Sequence, residues 1–116
     1  MNILGLGYIT VKSDNLNDWV EFSSDFMGMQ LVDRTRSTVI LRMDDRKQRF
    51  VITNEAESSN IFGWEVADKK SLDVLASRLE NAGVKVKRES KSIAEKRFVS
   101  SVISFNDPMG NRQEAF

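Results

Sequence analysis

Apolar positions along this chain follow two periods, one near two residues and one near 3.6, and the sequence runs through both of them twice. Ile3 to Lys12 is rich in apolar and β-branched residues and predicts a strand, with Gly5 and Gly7 marking a close backbone approach or a bulge. Leu16, Trp19, Val20, Phe22 and Phe26 then take helical spacing. Ser13, Asp14 and Asn15 offer N-caps before them, and Gly28 supplies the left-handed residue that commonly ends a helix. Met29 to Asp33, Thr38 to Met43 and Arg49 to Thr53 are three short strand-like runs, the latter two joined by a polar turn at Asp44 to Lys47. The first pass therefore reads β-α-β-β-β.

The second pass repeats it. Glu55 to Asn60, with two glutamates, two serines and an asparagine, has the composition of a linker. Phe62, Trp64 and Val66 alternate as a strand, Asp68 is placed to cap, and Leu72, Leu75, Ala76 and Leu79 form a helical stripe stopped by Gly83. Val84 to Lys87 alternates apolar and basic residues, which suits a strand with one wet face. Ser90 to Phe98 is polar, with room for a helical turn, and Val99 to Phe105 predicts another strand. Asp107-Pro108-Met109-Gly110 has the residue preferences of a type I turn ahead of a closing strand from Arg112 to Phe116. Gly7-Tyr8 recurs as Gly63-Trp64 and Gly28-Met29 as Gly83-Val84, a spacing of 55 to 56 residues. The expected organisation is thus a tandem repeat, with one unit over 1–54, a linker over 55–60 and a second unit over 61–116, together one α+β domain.

Composition narrows the chemistry. A chain of 116 residues that is 41% hydrophobic can bury a core without disulfides or a structural metal. Its 17 basic and 17 acidic side chains cancel, leaving no electrostatic footprint for nucleic acid or an anionic membrane. No cysteine means no disulfide framework, no thiolate zinc site and no thiol nucleophile; no histidine removes the Ser-His-Asp and Cys-His constellations as well. Met1-Asn2-Ile3-Leu4-Gly5 carries no basic segment before an apolar run, and no stretch approaches membrane-spanning length, so a cytoplasmic, unprocessed chain without membrane partners is expected.

Four segments carry a family resemblance: Leu6-Gly7-Tyr8 leading to Asp14 and Trp19; Met43 to Phe50; Gly63-Trp64-Glu65-Val66-Ala67-Asp68; and Phe105-Asn106-Asp107-Pro108-Met109-Gly110-Asn111-x-x-Glu114. Over nearly the whole chain they resemble the vicinal-oxygen-chelate superfamily, and within it the N-terminal domain of type I extradiol ring-cleavage dioxygenases, which open 2,3-dihydroxybiphenyl and related catechols. The resemblance implies an incomplete barrel of two tandem βαβββ units. It also implies a longer parent enzyme whose C-terminal catalytic domain holds ferrous iron with two histidines and one glutamate, a facial set that leaves positions open for the catechol oxygens and dioxygen. The family's ligands come from the first strand of each unit and the last strand of the second, which places the matching positions near Tyr8, Trp64 and Glu114. A tyrosine can bind iron, but an indole offers only an N–H donor. A lone carboxylate does not make a metal site. The resemblance therefore implies no metal, cofactor or catalytic residue within this chain.

Several residues keep two readings. Tyr8 and Trp64 can pack in the core or line a cavity that stacks an aromatic ligand. Glu114 can be a relic of a metal site, an acceptor for buried backbone N–H groups, or solvated. Asp44-Asp45, flanked by Arg42, Arg46, Lys47 and Arg49, reads as a surface charge mesh and not a calcium site. Lys85, Lys87, Arg88, Lys91, Lys96 and Arg97, interleaved with Glu89 and Glu95, read as a solvated face.

The expected function is that of a non-catalytic domain within an extradiol dioxygenase, partnered by its own C-terminal domain. Exposed sheet edges would let the isolated piece form a homodimer. The rival is a stand-alone, metal-free binding protein of the same superfamily, of the bleomycin-resistance kind. A lactoylglutathione lyase is disfavoured because its metal site ordinarily includes histidine.

Overall fold

The computed structural model describes residues 3–55 and 60–116, so residues 56–59 of the expected linker lie outside the described residues. The chain forms two compact units: Tyr8–Asn60, and residues 61–116 together with the start of the first strand up to Gly7. β1 (Ile3–Lys12) thus contributes to both.

In the first unit, α1 (Leu16–Glu21) runs on as a π turn over Phe22–Phe26, followed by β2 (Gln30–Arg34), β3 (Thr38–Arg42) and β4 (Phe50–Thr53). No side chain caps α1, because Ser13 Oγ instead accepts from the Asn15 N–H. Gly28, at φ +69°, turns the chain out of the π turn. The strand order is β2-β3-β4-β1, with β1 parallel to β4 and the other neighbours antiparallel. Leu16, Val39, Leu41 and Ile52 form the core, and Trp19 and Phe50 pack against it with ring centroids 6.0 Å apart. β2 carries a bulge: Leu31 faces Leu41 and Asp33 faces Ile40, leaving Val32 as the extra residue.

The second unit repeats this plan with β5 (Ile61–Val66), α2 (Lys69–Asn81), β6 (Lys87–Arg88), α3 (Lys91–Lys96), β7 (Ile103–Asn106) and β8 (Arg112–Ala115). Its strand order, β6-β7-β8-β5 with β5 parallel to β8, is that of the first unit element for element. The core is Val66, Leu72, Leu75, Ala76, Ile103 and Ala115. Asp68 caps α2 by accepting from the Ser71 N–H at 2.8 Å, as its position in the sequence predicts.

Two strands are shorter than the apolar pattern predicts. Val84 and Val86 are half-buried and Lys85 exposed, as alternation requires, but only Lys87 and Arg88 pair with β7. Before them the chain stands off from Phe105 and Asn106 across a groove of about 230 Å³. β7 begins at Ile103 because Phe98 and Val99 close α3 instead: their N–H groups bond to the carbonyls of Glu95 and Ala94. This is a Schellman motif, and α2 ends in the same way with Gly83 at φ +86° in the left-handed position. At the end of α3 that position is filled by Phe98, at φ 58°. No helix among the described residues is long and apolar enough to cross a membrane.

Candidate functional site

β5 and β8 lie side by side in parallel, with Gly63 opposite Glu114 and Trp64 opposite Ala115, so two of the three family ligand positions fall on adjoining strands. Tyr8, buried at 3% exposure, belongs to the other unit.

Trp64 is half-buried, and its indole Nε1 donates to Gln113 Oε1 at 2.7 Å. Gln113 Nε2 in turn donates to Asp107 Oδ2 at 3.0 Å. Asp107 organises the turn before β8, accepting from the N–H groups of Met109 and Asn111 and from the Asn111 side chain. The Asn111 backbone N–H, foremost among these donors, holds the Asp107 carboxyl below its ordinary value.

Glu114 is fully buried and charge-paired. Arg97 presents a two-pronged fork, Nε to Oε1 at 2.8 Å and Nη2 to Oε2 at 3.1 Å. Arg112 places Nε at 2.9 Å and Nη2 at 2.8 Å from the same Oε2, and its Nη2 lies 3.5 Å from Glu89 Oε1. Ser104 Oγ donates to Glu89 at 2.8 Å. Of the readings open for Glu114, solvation is therefore excluded.

The basic run is a solvated face as expected at Lys85, Lys87, Arg88, Lys91 and Lys96, and departs from that reading at Arg97 and Glu89. Lys87 is exposed as expected, but the side chain of Arg97 is only 16% exposed and that of Glu89 only 5%. Nothing local in the sequence marks Arg97, because its partner lies 17 residues away on β8. Asp44, by contrast, sits at the surface in the mesh expected of it, bonded to Arg49 at 2.7 Å.

Iron needs several lone pairs converging on one point. Trp64 has none to give, and both oxygens of Glu114 already receive guanidinium N–H groups. The donor set at these positions does not fit the metal that the resemblance implies for the parent. Among the described residues, no three His, Cys, Asp or Glu side chains cluster for a metal elsewhere. A surface groove of about 330 Å³ in the first unit is lined by Asn15, Asp18, Trp19 and Phe22.

Residues 6–54 match the family described as Dihydroxybiphenyl dioxygenase BphC D1. Over 98% of its length the chain is 30% identical to 1,2-dihydroxynaphthalene dioxygenase of Pseudomonas sp. strain C18. It is 32% identical, over its full length, to a Rhodococcus jostii protein named iron-dependent extradiol dioxygenase. A crystal structure of catechol 2,3-dioxygenase superposes on the whole chain with a TM-score of 0.92 at 34% identity.

The chain is similar, along nearly its whole length, to one part of extradiol dioxygenases. Its fold is the α+β vicinal-oxygen-chelate fold. The chain spans 38% and 39% of the length of the two relatives above and 40% of the catechol 2,3-dioxygenase chain.

Proposed function

We propose that this domain is the non-catalytic N-terminal part of an extradiol dioxygenase that opens a catechol-type ring, of the 2,3-dihydroxybiphenyl class, with O2 and ferrous iron. The chemistry belongs to a C-terminal domain, and this chain holds neither metal nor catalytic residue. The observation that carries the reading is the match of nearly the whole chain to only about 38% of enzymes named for that reaction, combined with the hydrogen-bonding of Trp64 and Glu114. Its partner is its own C-terminal domain, its compartment the cytoplasm, and the assembled enzyme a homo-oligomer. Exposed apolar side chains support a partnered role: Phe26 is 77% exposed, with Phe22 and Met27 beside it in sequence.

The test compares residues 1–116 with the product of the full reading frame. Both are loaded anaerobically with ferrous salt and then given O2 and a vicinal diphenol. The full product is expected to consume O2 and cleave the ring, and the 116-residue chain to do neither and to retain no stoichiometric iron, manganese or zinc. Ring cleavage by the short chain would overturn the reading, as would tight one-to-one metal lost on Glu114→Ala.

A further inference from the structure

We infer that the Arg97 guanidinium is the resident cation of the second unit, seated on the carboxylate that would otherwise be a metal ligand and doing a metal's structural work there. This inference concerns the unit's own charges and stands apart from the activity of the parent.

The cluster balances. Two buried carboxylates, Glu114 and Glu89, face two guanidiniums, Arg97 and Arg112, while Lys87 lies 3.8 Å from Glu89 with its side chain 75% exposed. Removing Arg97 would leave Arg112 as the guanidinium shared by two buried carboxylates and would strip Glu114 Oε1 of its charge-assisted hydrogen bond from Arg97, a costly deficit for a fully buried carboxylate. The Arg97 contact is bidentate, a geometry that matches a planar guanidinium and that a lysine cannot reproduce.

Backbone conformation supports the same inference independently. Phe98, directly after Arg97, is the sole non-glycine residue at positive φ among those described. A bulky side chain in the left-handed region stores strain, and such strain persists only where the surroundings hold it. The equivalent turn after α2 uses Gly83 at that position. At α3 the turn is held on one side by the Val99–Ala94 hydrogen bond and on the other by the Arg97 fork. Short α3 and its strained end thus deliver one guanidinium to Glu114.

The experiment is chemical rescue. Arg97→Ala is expected to melt about 10 °C or more below the native chain. Guanidinium chloride at low concentration should then raise its Tm saturably, while lowering that of the native chain; sodium chloride at equal ionic strength should rescue neither. Equal lowering of both by guanidinium would overturn the inference. Should Arg97→Ala fail to fold, a cycle of Arg97→Met, Glu114→Gln and the double variant decides. Loss of Arg97 should cost much less Tm once Glu114 is neutral, and an equal cost in both backgrounds would refute the pairing.

Discussion

Gly7 offers the sharpest test of the packing in the second unit. A Cβ built on it runs into the Phe116 ring and comes within 3.3 Å of the Gly63 carbonyl oxygen. The Phe116 backbone is not free to retreat, since its N–H bonds to Trp64 O at 2.9 Å and its carbonyl accepts from Val66 N at 2.8 Å. In Gly7→Ala the ring itself must swing out. Burying a whole phenylalanine side chain stabilises by about 1.5–3 kcal/mol, and this one is half-buried, so the loss is roughly 1–1.5 kcal/mol. Against that, alanine restricts the unfolded chain and returns about 0.5 kcal/mol. The net destabilisation expected is just under about 1 kcal/mol, or a few degrees of Tm for a chain of this size. With Phe116→Ala already in place the ring is gone, and the same Gly7→Ala change should be neutral or slightly stabilising. Urea melts of the four chains measure the difference. An equal cost of Gly7→Ala in both backgrounds would refute the argument that the ring sets the requirement for glycine.

Two further outcomes follow from polar groups. Ser23 is 1% exposed within the π turn, and its Oγ has no hydrogen-bond partner among the described residues, so Ser23→Ala should stabilise by about 1 kcal/mol; a lower urea midpoint would count against it. Asp107 has its carboxyl held below the ordinary 3.8 in the folded chain, so its contribution is fully present above that pH and disappears as pH falls through the lower folded value. Asp107→Asn should flatten the fall of Tm below pH 4, and an unchanged slope would sink the assignment.

The repeat made the fold legible, because apolar periods and glycine stops are local signals. Asp68, Gly28, Gly83 and the Asp107 turn all stand where the sequence predicts them. Strand lengths near β6 and β7 were not legible, since they depend on how far Phe98 and Val99 are spent in closing α3. The resemblance pointed to Glu114 as a position of interest, but the partner that holds its carboxylate was not legible. Arg97 looks in sequence like its exposed neighbour Lys96, and only the placement of β8 sets it apart. Ionic partners many residues apart leave no periodic trace, which is why a charge run is easily taken for a wet face.

The extra residue in β2 has a practical consequence for the molecule when it is studied alone. A rim strand with a straight row of amides would act as a template for a neighbour, and all five residues of β2 are exposed to such an approach. At Val32 that row is kinked, so an incoming strand finds its register broken after two residues. Runaway fibre growth along this margin is thereby discouraged.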